Sequence, residues 1–458
     1  MKIAFITQGL PPDHVAGTEV YTYGIACALR DAGHQISVLC PKTWDKGPNN
    51  ARYEIGQEDT TSEGIFIRHL SFDWRTAPDP HGYLFDYNPE IFKITKCFLQ
   101  ERKPDVVHIT SCNNLSGSVI SATHSLGLPM VLTMTAFWVI CPRTTLLRRD
   151  GTLCRTHQNG LTCLHCLYGD TKTWRLLQKL PKILQHCLLK QLVSRQSVLN
   201  WNGTLNLTSA VERRNANLPR LLSDIDWVIS PSNFLADMIA QDGIISRARI
   251  HVSPLGYNME RAEVGRHKTN SDYMRFGHIG SLVPWKGVHV LIEAFNQLSP
   301  DHQARLFIYG DSQADSSYVQ RLRQMAADNP HILFKGRFNN SEIGHILKEI
   351  DVVVVPSLWY ENTPFAILGA FAAKTPVIAT NLGGLTEVVQ HEVNGLVFNP
   401  GDVSDLARQM RRSIEEPTLV SRLKGRIAPV RSVRDEVEEL EAVYARVINT
   451  ASQQHARL

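Results

Sequence analysis

Two doubly wound α/β domains facing across a cleft are the fold that this sequence predicts, and three observations carry the prediction. Short apolar runs alternate with helix-like stretches along the 458 residues. Several of those runs are continuous, such as Val352, Val353, Val354 and Val355. A continuous run fits a parallel strand buried on both faces, whereas a half-exposed strand would alternate. The alternation then starts again near residue 275, after a polar and charged stretch. Strands and helices taken in turn build parallel layers with right-handed crossovers.

In the first half, strands are expected over 2–7, 36–40, 65–70, 105–109, 130–133 and 226–230. In the second half they are expected over 275–279, 305–309, 331–334, 351–355 and 377–380. Helices are expected over 19–32, 288–298, 317–328, 342–349 and 364–373. A final amphipathic helix over 433–448 has Val437, Leu440, Tyr444 and Val447 on one face. The domain reading is 1–257 for an N-terminal domain, 258–274 for a linker and 275–430 for a C-terminal domain. The closing segment, 431–458, is free to pack back on the N-terminal domain. Ligands of such sheets sit at the carboxyl ends of the strands.

Composition excludes several classes. Hydrophobic residues make up 43% and charged residues 20%, ordinary for a globular chain. A net charge of +4 over this length does not mark a nucleic-acid binder. No apolar run is long enough to span a membrane, and the N-terminus has no signal-peptide core. Nine cysteines, an odd number without a secretory signal, point to a reducing compartment. The expected location is cytoplasmic.

Four segments carry chemistry. The first, 356–365, leaves a buried strand and opens a helix. Thr363 is expected to cap that helix with Pro364 at its first position. Free amides from Asn362 to Phe365 could then meet a phosphate or sugar hydroxyl, with Glu361 beside them as an acceptor. The second, 280–287, joins a strand to a helix through Gly280, Ser281 and Gly287. Its Lys286 can place a cation on a diphosphate. It is not a P-loop. The third holds Gly383, Gly384 and Glu387 at another strand–helix turn. The fourth, Ala16-Gly17-Thr18-Glu19, enters the first helix.

In this order the segments resemble the family-four retaining glycosyltransferases of GT-B fold, over nearly the whole chain. The resemblance is most specific in 280–287 and in 360–396, YENTPFAILGAFAAKTPVIATNLGGLTEVVQHEVNGLVF. In the first half, LTMTAFWVICPRTTLLRRDGTLC resembles a subgroup whose acceptor-side loop precedes spaced cysteines. What it implies is hexosyl-type transfer with retention, from a nucleotide-diphosphate sugar to a glycan or lipid-linked acceptor. The setting would be polysaccharide biosynthesis, with no cofactor needed for catalysis. By position, Lys286 would bind the donor diphosphate and Glu361 the hydroxyls of the transferred sugar. Amides from Asn362, Thr363 and Phe365, around Pro364, would hold sugar and phosphate. Gly17, Gly280 and Ser281 would line the donor, and Gly383, Gly384 and Glu387 would sit behind the nucleotide. His108, Thr135 and Ala136 would fall on the acceptor side.

The chain departs from the family at two polar positions. Gly369 stands where a second glutamate usually accepts from both ribose hydroxyls, a contact worth about 1.5–3 kcal/mol. Restoring a glutamate there is expected to raise nucleotide affinity. Ala136 stands where a polar pair usually closes the loop after Thr133. The alternative function is therefore a catalytically silent GT-B protein serving as a nucleotide- or glycan-binding or partner subunit. A related epimerase or phosphorylase is a third reading.

Three further features invite assignment. Cys141, Cys154, Cys163 and Cys166 could hold a structural zinc, or could be free thiols or a labile disulfide. His108, at a strand end, is either a ligand contact or a hydrogen-bonded structural residue. Residues 171–222 carry nine Lys and Arg against one acid, Glu212. They form either solvated helices or a patch for a membrane surface, which would make the protein peripheral at the inner face.

Overall fold

A computed structural model describes residues 1–48, 52–155, 163, 166–167, 180–181, 184, 202–299, 303–311 and 316–455. Most of the basic segment 171–201 lies outside the described residues. The chain divides into two compact units. The first comprises 1–231, 236–253 and 437–458, and the second 232–235 and 254–436.

The first unit is built on eight strands: β1 (Lys2–Ile6), β2 (Gln35–Thr43), β3 (Gly56–Ser62), β4 (Ile65–Ser71), β5 (Val106–Ile109), β6 (Met130–Thr133), β7 (Trp227–Ser230) and β8 (Ile250–Val252). Their order is β3-β4-β2-β1-β5-β6-β7-β8, and only the β3–β4 pairing is antiparallel. The chain reverses its direction of travel across the sheet at β1, between β2 and β5. Sequence reading misses β3 because GQEDTTS carries no apolar run, and β8 because it is three residues long.

The second unit has six strands: β9 (Met274–Ile279), β10 (Ala304–Tyr309), β11 (Ile332–Gly336), β12 (Val352–Val355), β13 (Val377–Thr380) and β14 (Gly395–Phe398). Their order is β11-β10-β9-β12-β13-β14, all parallel. Its valine run shows why a continuous apolar strand belongs inside. Val352 and Val354 face one core with Leu306 and Ile308. Val353 and Val355 face a second core with Phe307 and Tyr309. Alternate side chains thus feed the two helical layers, as the two-residue period of a strand requires. Residues 258–274 hold a short helix, Glu260–Glu263, and the half-buried Lys268, whose Nζ donates to the Leu347 carbonyl and to Thr375 Oγ1, both at 2.5 Å.

The last helix, Val433–His455, contributes its residues from 437 onward to the first unit. There Tyr444 is fully buried and Glu441 meets His34 Nε2 at 2.7 Å.

Candidate active site

In the second unit the switch point lies between β9 and β12, the strands from which the chain winds in opposite directions. The loops that leave their carboxyl ends are 280–287 and 356–364, where a doubly wound sheet takes its ligand. The two loops are locked together. The Leu358 amide donates to the Trp285 carbonyl at 2.8 Å. Gly287 has a φ of +70°, and a Cβ there would stand 1.9 Å from the Pro356 carbonyl oxygen. Only glycine allows that approach.

The lock brings Lys286 to Glu361. The lysine Nζ lies 2.5 Å from Glu361 Oε1, and the same oxygen accepts from Ser357 Oγ and Trp359 Nε1, each at 2.7 Å. The ammonium also lies 5.3 Å from the centroid of the Trp359 ring. Glu361 is 6% exposed, so these are desolvated, charge-assisted contacts. All three donors fix Oε1, which leaves Oε2 as the acceptor the constellation presents. The carboxylate position is set before any ligand arrives, the arrangement that gives fixed charges their largest effect.

The helix beside it begins one residue later than expected. It spans Phe365–Ala372 with Pro364 as its N-cap, because the Pro364 carbonyl accepts from the amides of Ile367 and Leu368. Thr363 therefore does not cap. Its Oγ1 is buried without a hydrogen-bond partner, beside Asn362.

Gly383 and Gly384 back this loop. The Gly384 amide donates to the Glu361 carbonyl at 2.9 Å, and a Cβ on Gly384 would meet the Asn362 carbonyl at 2.1 Å. Glu387 is committed elsewhere: its carboxylate accepts from the amides of Asn233 and Phe234, the start of the helix Asn233–Gln241. His278, on β9, donates from Nδ1 toward the Val354 carbonyl at 3.3 Å and has a buried Nε2 without a partner. Burial pushes it down to about 4, so it is neutral at physiological pH.

Position 369 bears on one expectation. A Cβ built there would come within 2.8 Å of Tyr257 Oη. Tyr257 packs against Phe365 at a ring distance of 6.3 Å and fills the room a glutamate would need. A glutamate at 369 therefore cannot simply restore a ribose contact while Tyr257 is present.

In the first unit, Gly17 opens the helix Gly17–Asp31, and a Cβ on it would meet nothing within 4 Å. Thr18 Oγ1 donates to Thr135 Oγ1 at 2.9 Å, and Thr135 donates on to the Thr110 carbonyl at 2.9 Å. Gln8 links Glu19 and Ser111 at 2.8 and 2.9 Å. Ala136 precedes the turn Phe137–Val139 and adds no polar group. His108 is not on an open edge. It is fully buried, with Nδ1 at 2.6 Å from Tyr444 Oη and Nε2 at 2.8 Å from Thr133 Oγ1. Burial pushes it down to about 3. It holds the last helix to the sheet, and an acceptor contact does not fit it.

Cys141, Cys154, Cys163 and Cys166 line one pocket. Burial, with the neighbouring Cys141, Cys166 and Cys154, pushes the Cys163 thiol up to about 12. Among the described residues no group of three or more His, Cys, Asp and Glu side chains is placed to hold a metal ion. The cysteines converge, but the zinc reading is not met. Nor is the basic segment wholly a surface. Arg213 pairs with Asp79 at 2.8 Å and Asp86 at 3.1 Å, and Arg214 is buried.

The model of glycosyl transferases group 1 matches residues 260–427, and that of the glycosyl transferase 4-like domain matches 16–163. An uncharacterized glycosyltransferase of Methanocaldococcus jannaschii is 33% identical over 138 residues, 30% of this chain and 35% of that protein. The glycogen synthase of Mycobacterium tuberculosis is 28% identical over 454 residues, 95% of this chain and 91% of its own. The match to a glycosyltransferase of Bacillus subtilis spans 46% of that protein. The chain thus spans less than half the length of the first curated relatives it matches. A glycosyltransferase of Rickettsia africae superposes with a TM-score of 0.63 at 15% identity, over 98% of this chain and 99% of that one. An Anabaena protein, HepE, solved with UDP and glucose, gives 0.59 at 19% identity over 100% and 98%. These likenesses fix the fold as GT-B, and the family models place each part: residues 260–427 match the glycosyl transferases group 1, and residues 16–163 match the glycosyl transferase 4-like domain.

Proposed function

We propose that the chain is a retaining glycosyltransferase that moves a hexose from a nucleotide-diphosphate sugar to a glycan or lipid-linked acceptor. The observation that carries the reading is the Lys286–Glu361 pair, built by two interlocked loops at the switch point of the second unit. UDP is the nucleotide to test first, because HepE was solved with it.

In this reading Glu361 Oε2 accepts from hydroxyls of the transferred sugar. Lys286 supplies positive charge to the leaving diphosphate, joined by the amides at the start of the helix Phe365–Ala372. Gly280 and Ser281 give the donor backbone access, and Thr363 Oγ1 is a buried hydroxyl ready for a partner. Thr18 and Thr135 present hydroxyls on the acceptor side. Glu387 acts one step back, by holding a helix start. The cation and the helix amides together supply the charge for departure of the diphosphate, so the scheme routes no step through a metal. The reading places the enzyme in the cytoplasm. No helix among the described residues is long and apolar enough to cross a membrane.

The test is a thermal-shift screen with UDP, GDP, ADP and their sugars, followed by NMR of the product's anomeric proton. Stabilisation by one nucleotide class and an α-linked product from an α-linked donor are expected. Folded protein that neither binds nor turns over any of these donors would overturn the reading. Inverted product would overturn its stereochemistry.

A further inference from the structure

The first unit buries a cation that no carboxylate among the described residues pairs with. Arg214, on the helix Asn202–Ser223, is 6% exposed. Its guanidinium donates to Asn215 Oδ1 at 3.1 Å and to the Trp138 carbonyl. Neither acceptor carries charge, and among the described residues no carboxylate pairs with it. Two neighbours set the contrast. Arg213, next in sequence, is half-exposed and takes both Asp79 and Asp86. Arg275 in the second unit is as buried as Arg214, at 4%, and is paired through two nitrogens with Asp351 at 3.0 and 2.8 Å. A buried charge is ordinarily paired, because an unpaired one forfeits its hydration without return.

Arg214 lines a pocket together with Trp138, Cys141, Asn113 and Thr144. The indole Nε1–H of Trp138 is buried there without any acceptor, and Trp138 is 5% exposed. Two donors in one pocket thus lack an anion. Asp86 also lines the pocket, but its oxygens are taken by Asn217 at 2.8 Å and Arg213 at 3.1 Å. Burial lowers Arg214 only to about 10, so it stays charged at neutral pH. The pocket walls include 112–117, which follow β5, and 138–144, which follow β6, so it opens at the ligand-binding edge of this sheet.

We propose that this pocket binds an anionic group of the acceptor, a phosphate or a carboxylate, through the Arg214 guanidinium and the Trp138 indole N–H. The planar fork of a guanidinium suits either oxyanion, and one further N–H fixes its orientation. The proposal rests on the transferase reading only for the word acceptor; the pocket's affinity for an anion can be measured without a donor.

Calorimetry on the full chain would compare inorganic phosphate, glucose 6-phosphate, glucuronate, farnesyl diphosphate and neutral glucose. At least one anion is expected to bind and glucose is not. Phosphate, lipid diphosphate and carboxylate arms separate the sources of the anion. Arg214→Gln is expected to weaken the bound anion at least about tenfold, with a Tm equal to or above the parent's, since an uncompensated charge is removed. Trp138→Phe, which deletes the N–H together with the pyrrole ring, is expected to weaken it about threefold to tenfold with UDP-sugar binding unchanged. No anion binding, equal affinity for glucose, or a lower Tm with unchanged anion affinity in Arg214→Gln would overturn the proposal. Anion binding that survives in a protein with no donor turnover would instead defeat the transferase reading and leave the pocket standing.

Discussion

The two sheets are built alike, yet their ligand edges are charged in opposite ways. At the edge of the second unit, one carboxylate oxygen collects three donors, Lys286, Ser357 and Trp359. Charge there is matched within the protein, and the site is complete before a ligand arrives. At the edge of the first unit, Thr18 donates to Thr135 and Ser111 donates to Gln8, while Arg214 and the Trp138 indole have no anionic partner among the described residues. The difference assigns work. A preformed matched pair suits a constant group such as a sugar diphosphate, and an unmatched cation awaits charge from the other substrate.

Breaking the matched pair should have the largest effect. Lys286→Met and Glu361→Gln are each expected to lower kcat about 10²–10³-fold with the most effective nucleotide sugar. Glu361→Gln also weakens three charge-assisted contacts on one oxygen, so its unfolding free energy should fall by about 1–3 kcal/mol. Lys286→Met strips the buried Glu361 carboxylate of its paired cation and should also lower stability, by at least about 1 kcal/mol. Steady-state kinetics and urea titration of both variants check the pair. Wild-type kcat in either would end the role given to it.

Next in size is the lock behind the pair. Gly287→Ala places a Cβ against the Pro356 carbonyl at a positive φ. Separation of the two loops is expected, with a stability loss of at least about 2 kcal/mol and a kcat loss comparable to that of Lys286→Met. Gly17→Ala, where a Cβ meets open space, is the matched control in the first unit and should leave stability within about 1 kcal/mol.

What could be read from sequence follows the same division. The second unit was legible because its chemistry is local: Lys286 and Glu361 each lie a few residues beyond the end of a strand, β9 and β12. Its missed strand, β14, is GLVF, which opens on a glycine and leaves only three apolar residues in a row. Arg214 was invisible because it sits in a helix among other basic residues. Nothing local separates it from Arg213, which is surface-paired, and only the packing of Trp138 against it shows the burial. His108 was misplaced for a related reason. A strand-end position says where the backbone stops, and the capping Tyr444 comes from 336 residues further along. The role of Glu387 was likewise hidden, because its partners Asn233 and Phe234 are remote in sequence.

The buried histidines, one in each unit, give a pH test. Burial lowers His108 to about 3 and His278 to about 4. Both are neutral when folded and gain protons on unfolding below the ordinary value near 6.5. Their contribution is fully present above about pH 6.5 and is lost as pH falls toward the folded values. Between about pH 7 and about pH 5 each should cost roughly 2 kcal/mol of stability. Denaturant titrations of wild type, His108→Asn and His278→Asn across that interval check the sign. Each variant should show a shallower fall than wild type; parallel curves would mean that the histidine is not buried neutral.

The smallest expected effect bears most directly on how this chain differs from its family. The residue type at 369 alone argues that a glutamate there should tighten nucleotide binding. The geometry argues the reverse, because the new side chain must displace the Tyr257 hydroxyl from the position it fills. Gly369→Glu alone is therefore expected to weaken UDP about tenfold and to lower Tm, since overpacking forces neighbouring side chains off their rotamers. Tyr257→Val alone opens a gap and should also destabilise. The double variant relieves the first strain and fills the second gap, so the two penalties should not add. Calorimetry with UDP on all four proteins measures the coupling. A double variant that binds more tightly than Gly369→Glu by about the factor lost would show that Tyr257 and Gly369 form one compensated pair. Simple additivity would show that the two positions are independent, and the tyrosine would then be only a packing residue.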